Sequence, residues 1–257
     1  MILFYYIITF TLGLCFGSFL NALVWRTWEN ICIANDRSMC PHCHRCLVWY
    51  ENIPVLSYIF LGGKCKTCRR GITIQYPLVE FFMGLAFVFV VMIRAKGDFL
   101  LTPEIVRDWF LAFNLGFIFL YDLKHKEILD FSTVPTIIIF IFFAPAIGWH
   151  SWQSMGLGFL IGGGVFMAQY LMSRGKWIGG GDIRLGVLMG VVLGFPNILL
   201  ALLLAYVGGA VFSLILIGLK KQDMKGETPF GTYLALATFV TMLWGEGIIG
   251  WYVGLLH

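Results

Sequence analysis

Charged residues are scarce in this chain. Asp, Glu, Lys and Arg make up 12% of its 257 residues, whereas a soluble globular domain carries roughly a quarter. Apolar residues reach 59% and the mean hydropathy is +0.84, which excludes an ordinary soluble domain and indicates a membrane protein with several spans. The net charge of +4 does not indicate nucleic-acid binding, because basic residues gathered on one membrane face produce it.

Eight apolar segments are long enough, or nearly so, to cross a bilayer at about 20 residues each. Pro196 and Asn197 interrupt the run 183–218 and predict a tight turn between two helices. No basic segment precedes the first span, so we expect a retained helix and not a cleaved signal peptide. The expected fold class is therefore an all-α polytopic membrane protein with about eight transmembrane helices, at 2–25, 77–94, 106–121, 131–149, 156–172, 183–196, 198–218 and 229–245.

Basic residues are distributed unequally between the two ends of these spans. Arg94, Lys96 and Arg107 fall between the second and third spans, and the rest of the 18 Lys and Arg residues lie in the first loop or around the loops after the third, fifth and seventh spans. The positive-inside rule then predicts that the first loop faces the cytoplasm, as do Asp122 and Asp182.

Two C-x2-C pairs stand in the one extended polar region, and their ligand set is Cys40, Cys43, Cys65 and Cys68. Four thiolates at this spacing can close a tetrahedral zinc site, and a reducing cytoplasm disfavours disulfides. Cys46 forms a further C-x2-C with Cys43, which leaves a second pairing open. We expect three domains: the first helix (1–26), a cytoplasmic zinc loop (27–76) and a seven-helix membrane domain (77–257).

Carboxylates are few, so the acids at membrane edges stand out. Asp182 follows Gly179, Gly180 and Gly181 at the start of an apolar run. Such glycines allow a close backbone approach or a positive φ, and a carboxylate at the membrane boundary is a functional candidate. We expect the three glycines to shape the loop that brings Asp182 against a substrate.

Asp122 is the expected partner of Asp182. It lies at the cytoplasmic end of an apolar helix, where its charge opposes the helix dipole, so no structural role accounts for it. Asp130 suits a helix cap or first turn, and Glu127 lies among basic residues as a solvated acid. Both are therefore set aside as catalytic candidates.

Two aspartates on different helices at one membrane face are typical of an aspartic protease dyad, in which two like charges share one proton. No Ser/His pair, H-E-x-x-H motif or P-loop competes for a catalytic role. The alternative from the residues alone is a carboxylate-gated membrane transporter with a structural zinc loop.

The chain resembles the type IV prepilin peptidases, the bifunctional leader peptidase/N-methyltransferases of the cytoplasmic membrane. Two positions depart from the family pattern: Leu129 precedes Asp130 where Pro is common, and Arg184 stands where Lys is common. The four-cysteine loop is the most specific part of the likeness, because the glycine–aspartate motif also occurs in presenilin-type proteases. The matching stretches are GSFLN (17–21), CPHC (40–43), ENIP (51–54), CKTC (65–68), YPLVE (76–80), Asp122, GGGD (179–182) and PFG (229–231).

The resemblance implies a GxGD-type aspartyl protease of the inner membrane that acts on prepilin and pseudopilin precursors. It implies cleavage of a short basic leader after Gly on the cytoplasmic side, with Asp122 and Asp182 as the catalytic acids and zinc on the four cysteines. It further implies N-methylation of the new N-terminal residue from S-adenosylmethionine, although a peptidase that lacks methyltransfer remains an alternative.

Two further residues are candidates for methyltransfer. Glu80 begins the second span, where an acid also suits the helix dipole. Asn21 ends the first span, where a buried amide needs partners and small residues such as Gly13 and Gly17 favour close helix packing.

Overall fold

The computed structural model of the protein describes residues 2–33, 37–95, 101–146, 148–219 and 228–255. Regular structure in these ranges is helical, with a 3-10 turn at Trp49–Asn52. Several basic residues used to predict orientation, Lys96, Lys220, Lys221 and Lys225, lie outside the described residues. The α-helices are α1 (Ile2–Trp28), α2 (Leu56–Phe60), α3 (Gln75–Arg94), α4 (Pro103–His125), α5 (Asp130–Ala146), α6 (Trp152–Ser173), α7 (Gly180–Leu193), α8 (Asn197–Gly218) and α9 (Phe230–Gly254).

Five of these helices, α1, α3, α6, α8 and α9, are long and apolar enough to cross a membrane. The helical, multi-span class expected from the sequence is thereby confirmed. Each of the eight predicted segments overlaps one helix, but α7 has 14 residues. A helix of that length extends about 21 Å, which is short of the roughly 30 Å hydrocarbon core. The count of eight spans therefore stays a prediction.

The chain forms two compact units, Met1–Gly116 and Phe117–His257, and the boundary falls within α4. The predicted domain boundaries at 26 and 76 stay a prediction. In the first unit α1 packs on α3 through glycine. A Cβ on Gly13 would stand 2.7 Å from the Cα of Gly84, and one on Gly17 would stand 2.6 Å from the Cα of Glu80. The close packing expected of these small residues is present.

In the second unit, glycines bring α6 and α7 into backbone contact. A Cβ on Gly158 or Gly162 would collide with the carbonyl oxygen of Gly190 or Gly186, respectively. The four-residue spacing places both glycines of each helix on one face. Beyond Arg184 the helix α7 is apolar, and it is buried from Leu185 to Leu193 apart from the half-buried Val187. The helix that begins with Asp182 in its first turn is thus held firmly by its neighbours.

The turn predicted at Pro196 and Asn197 is confirmed. Helix α7 ends at Leu193 and α8 begins at Asn197. Ser154 of α6 fixes the turn, since its hydroxyl donates to the Phe195 carbonyl at 2.8 Å and accepts from the Phe195 N–H at 3.0 Å. This end of α7 lies opposite the end that carries Asp182.

Candidate active site and metal centre

Asp122 lies in the last turn of α4 and is 4% exposed. Its Oδ2 accepts two hydrogen bonds from Thr232, from the backbone N–H at 2.7 Å and from the hydroxyl at 2.9 Å. Thr232 is the third residue of α9, where backbone N–H groups have no partner within the helix. The positive end of α9 therefore offsets the unfavourable position of this carboxylate in its own helix.

Thr232 was not identified from the sequence as part of the site. The sequence signal for this contact is the stretch Pro229, Phe230 and Gly231, which marks the start of α9. A helix start predicts exposed N–H donors over its first turn. Hydropathy and motif spacing do not specify which of the few carboxylates accepts hydrogen bonds from these N–H groups.

Asp182 occupies the third position of α7, and its Oδ2 accepts the N–H of Gly179 at 3.0 Å. This bond closes the helix N-terminus in the manner of a capping box. Gly179 has φ −82°, and none of Gly179, Gly180 and Gly181 adopts a positive φ. The sequence predicted that these glycines allow either a positive φ or a close backbone approach, and none of the three uses a positive φ.

Close approach occurs at one of the three glycines. A Cβ on Gly181 would stand 2.9 Å from the Cβ of Ile128, whereas the space around Gly180 is open to 4 Å. Ile128 also reaches Gly231, where an added Cβ would stand 2.9 Å from its Cδ1 and 3.0 Å from Asp122 Oδ2. The Ile128 side chain thus separates the start of α7 from the start of α9.

Both aspartates line a single cavity of about 820 Å³. Its wall also carries ionisable side chains of both signs, namely Lys126, Glu127, Lys176 and Arg184. The acids selected from the sequence are therefore brought together on one surface that is large enough for several residues of a peptide.

The two acids set aside from the sequence have different surroundings. Asp130 is the first residue of α5 and forms an ion pair with Arg184, whose Nη1 lies 2.7 Å from Oδ1 and 2.9 Å from Oδ2. Its carboxylate is engaged in tying α5 to α7. Glu127 was predicted to be a solvated acid away from the site, but it lines the same cavity as the two aspartates.

The four cysteines predicted as ligands form one cluster in the first unit. Their Sγ atoms all lie within 4.8 Å of one another, and those of Cys40 and Cys68 are 3.9 Å apart. Tetrahedral Zn–S bonds of about 2.3 Å place sulfurs roughly 3.8 Å apart, so the cluster fits a metal ion. Cys46 is exposed and stands outside the cluster, so the second pairing is not used.

The two C-x2-C turns, the first knuckle at 40–43 and the second knuckle at 65–68, have the same backbone hydrogen bond. His44 donates its N–H to the Cys40 carbonyl at 2.9 Å, and Arg69 donates to the Cys65 carbonyl at 3.0 Å. Both donors have positive φ, 53° and 58°. A left-handed residue after the second cysteine closes each turn, which directs both sulfurs of a pair inward.

An ion pair between the half-buried Arg45 and the buried Glu51 anchors the first knuckle. Arg45 donates to both oxygens of Glu51, at 2.8 and 3.0 Å, and the Val48 N–H donates to Glu51 Oε2 at 2.9 Å. The Arg45 guanidinium and the Val48 N–H hold the pKa of Glu51 below its ordinary value, against the opposing effect of burial. Glu51 therefore stays ionised and fastens the loop.

Glu80 and Asn21, the methyltransfer candidates, are both hydrogen-bonded to the same loop, Glu80 near its middle and Asn21 at its end. Glu80 is 7% exposed, and its Oε2 accepts the Val55 N–H at 2.7 Å. Val55 has φ 61°, a strained value for a β-branched residue. Asn21 donates to the Tyr76 carbonyl at 3.1 Å, and its buried Oδ1 has no partner within the described part of the chain.

Membrane-length helices define a polytopic membrane protein, with four cysteines that could hold a metal ion and two carboxylates on one cavity. Residues 11–94 match the bacterial peptidase A24 N-terminal domain, and residues 109–214 match the type IV leader peptidase family. The chain belongs to the type IV leader peptidase family, which confirms the resemblance recognised in its motifs.

Relatives extend the match over nearly the whole chain. One from Aeromonas hydrophila is 31% identical over 97% of this chain and 94% of its own length. One from Bacillus subtilis is 30% identical over 96% of this chain and 97% of its own length. Both are named prepilin leader peptidase/N-methyltransferase, so the chain is similar to enzymes. No solved structure matches the chain.

Proposed function

We propose that the protein is a membrane aspartic endopeptidase that removes the leader of type IV prepilins and pseudopilins, cleaving after a Gly on the cytoplasmic side. The observation that carries this proposal is that Asp122 and Asp182 line one cavity in a chain of the leader peptidase family. An aspartic mechanism needs two carboxyl groups that share a space with water and a peptide carbonyl.

The surroundings of the two acids support different roles. Asp122 Oδ2 receives two donors from Thr232, and hydrogen bonds to a carboxylate favour its ionised form. Asp182 receives one donor, from Gly179. We therefore assign Asp122 as the ionised general base and Asp182 as the protonated acid, with one proton shared by the pair.

The proposed reaction proceeds in two steps. Asp122 takes a proton from water while the water oxygen attacks the scissile carbonyl carbon, and Asp182 gives its proton to the carbonyl oxygen. The tetrahedral intermediate then collapses: the C–N bond breaks, the leaving nitrogen takes the proton from Asp122, and a hydroxyl of the intermediate returns one to Asp182. Both carboxyl groups end in their starting states.

The orientation of the proposed site follows from charge. Eight spans with both termini outside place the Lys- and Arg-rich first loop and both aspartates in the cytoplasm. Helix α7 is too short to cross alone, but its burial against α6 removes it from lipid contact. Its start can therefore lie below the membrane surface in a cavity open to the cytoplasm.

The metal proposed for the four-cysteine cluster is zinc in a structural role. Four thiolates complete a tetrahedral shell and leave no open position for substrate. Cys40, Cys43, Cys65 and Cys68 would hold it, and the metal would supply folding energy to a loop with little hydrophobic core.

The names of the relatives also support N-methylation of the new N-terminal residue, with S-adenosylmethionine as the methyl donor. The buried Oδ1 of Asn21, which has no partner among the described residues, suits an acceptor for an amino group, and Glu80 suits a cationic or proton-donating neighbour. We propose these two residues as part of the donor site. Mass spectrometry of the mature pilin tests it: methylation adds about 14 daltons, and Asn21→Ala should reduce that product while leaving cleavage intact.

The test of the peptidase is cleavage of a purified prepilin by Asp122→Asn and Asp182→Asn enzymes, with Asp130→Asn as the matched control. Each of the first two variants should lose activity by at least roughly a thousandfold, since a dyad works as a unit, while the control retains most of it. Unchanged thermal melting shows that the variants fold. Full cleavage by either dyad variant would contradict the proposal, and transport without cleavage would restore the transporter alternative.

A further inference from the structure

A polar pair on the cavity wall is left unused by the proposed mechanism. Gln169 of α6 and Tyr206 of α8 both line the cavity that holds the two aspartates. They exchange two hydrogen bonds: the amide nitrogen donates to the phenol oxygen at 2.6 Å, and the phenol donates to the amide oxygen at 3.0 Å. Two side chains from different helices therefore hold one another in fixed orientations.

The phenol ring is supported from behind by aromatic side chains. Its centroid lies 5.2 Å from that of Phe230 and 6.3 Å from that of Phe166, which is fully buried. Phe230 is the first residue of α9, two positions before the residue that binds Asp122. Tyr206 itself is 37% exposed, so the ring is fixed on one side and accessible on the other.

The amide of Gln169 retains hydrogen-bonding capacity. A glutamine side chain has two N–H donors and an oxygen with two lone pairs, and the bonds to Tyr206 use one of each. One N–H and one lone pair remain. These groups can pair with main-chain groups of a substrate, the lone pair with an N–H and the free N–H with the C=O of a different peptide group.

The chemistry of the rest of the wall makes this pair distinctive. Gln169 is the one side-chain amide among the residues that line this cavity in the described part of the chain; the other polar side chains there, besides Tyr206 and the hydroxyl of Thr228, are ionisable, namely Asp122, Lys126, Glu127, Lys176, Asp182 and Arg184. Charged groups bind ions and charged side chains most strongly, whereas a neutral amide matches the neutral main chain. Main-chain hydrogen bonds hold an extended peptide independently of its side-chain sequence.

We propose that Gln169, oriented by Tyr206, is a main-chain binding subsite for the extended substrate segment beside the scissile bond. This inference rests on the proposed peptidase function. The subsite takes uncharged main chain: the Gln169 oxygen accepts the N–H of one peptide group, and the free Gln169 N–H donates to the carbonyl of another. Both residues position the substrate, and neither exchanges a proton with the reacting atoms.

The test couples changes in enzyme and substrate. The full-length enzyme is assayed on a prepilin peptide series in which single backbone N–H groups flanking the cleavage site are replaced by ester oxygens. One such replacement should lower wild-type kcat/KM by roughly tenfold, the effect of losing about one hydrogen bond. Gln169→Met should show a similar loss, mostly in KM, and no further loss with that ester.

Gln169→Glu keeps the acceptor oxygen, so sensitivity to the ester should survive in this variant. Tyr206→Phe keeps the ring and removes the orienting hydroxyl, and it should raise KM several-fold. Gln153→Met, near the other end of α6, is the matched control and should behave as wild type. Thermal melting of each variant checks its fold.

The subsite is overturned if every ester that slows the wild-type enzyme slows Gln169→Met by the same factor, or if Gln169→Met is as active as wild type. Failure of the peptidase proposal looks different, because an active Asp182→Asn enzyme would contradict the dyad whatever Gln169 does.

Discussion

Thr232 gives both of its donors to one oxygen of Asp122, the backbone N–H at 2.7 Å and the hydroxyl at 2.9 Å. The two residues come from helices separated by more than 100 positions in the chain. A carboxylate held in this way is fixed in direction and stabilised in its ionised form, which is what a general base requires at the moment it accepts a proton.

Thr232→Val removes the hydroxyl and keeps the shape of the side chain. A hydrogen bond to a charged group is worth about 1.5 kcal/mol or more, and 1.36 kcal/mol corresponds to one pH unit. The ionised form of Asp122 loses that support, so the acid limb of the kcat/KM profile should move to higher pH by roughly one unit. Cleavage measured between pH 4 and 9 gives the shift.

Thr232→Ser restores the hydroxyl and should return the acid limb to the wild-type position. The other ionisable groups on the cavity are unchanged in both variants: Lys126, Glu127, Lys176, Asp182, Arg184 and Tyr206. A Thr232→Val enzyme with the wild-type pH profile would show that Asp122 is not the group that titrates on the acid side.

Gly181 and Gly180 provide a second, paired prediction. An alanine methyl at 181 would press on Ile128, whereas the space around 180 is open. Gly181→Ala should therefore displace the start of α7 with Asp182 and lower kcat by at least tenfold, since misplacement of catalytic groups is costly. Gly180→Ala should retain most activity. Equal losses in both variants would indicate that the whole motif needs glycine for another reason.

The sequence identified the residues of the candidate site better than their surroundings. Asp122 and Asp182 could be chosen because carboxylates are few and both stand at ends of apolar runs. Spacing predicted the four clustered cysteines with one ambiguity, the C-x2-C that Cys46 forms with Cys43, since each C-x2-C turn is a local structure that four or five residues determine. Each of these features depends on residue type and short-range order.

Features that depend on which helices meet could not be predicted in this way. Thr232 and Ile128 contact the aspartate-bearing segments only because α4, α7 and α9 converge, and hydropathy does not record which faces meet. The number of spans is another such feature. Hydropathy predicts a span at 183–196, but α7 has 14 residues and its glycines pack it against α6.

The four-cysteine cluster predicts that substitution of a ligand cysteine removes the metal, whereas substitution of Cys46 does not. Purified protein should contain about one zinc ion per chain, and Cys40→Ser combined with Cys65→Ser should reduce it to near zero and expose the loop to protease. Cys46→Ser is the matched control and should keep its metal, because Cys46 lies outside the cluster. Elemental analysis with limited proteolysis measures both effects, and metal loss in the Cys46 variant would contradict the ligand assignment.

The glycine contact between α6 and α7 predicts that a bulkier residue there lowers both the stability and the activity of the enzyme. A methyl on Gly162 would collide with the Gly186 carbonyl, whereas the space at Gly164, two residues along α6, is open. Overpacking costs about 1–3 kcal/mol, so Gly162→Ala should lower Tm by several degrees. Gly164→Ala should leave Tm unchanged or raise it, because alanine favours a helix by up to about 1 kcal/mol over glycine.

Activity should fall with Gly162→Ala beyond what unfolding explains, measured well below Tm. The reason is geometric: α7 carries Asp182 in its first turn, so a helix pushed away from α6 takes that carboxylate with it. The expected loss is mainly in kcat, since the displaced helix α7 carries Asp182, whereas the proposed subsite residue Gln169 lies on α6 itself. A Gly162→Ala enzyme with lower Tm and wild-type kcat would show that the position of α7 can change without disturbing the aspartate pair.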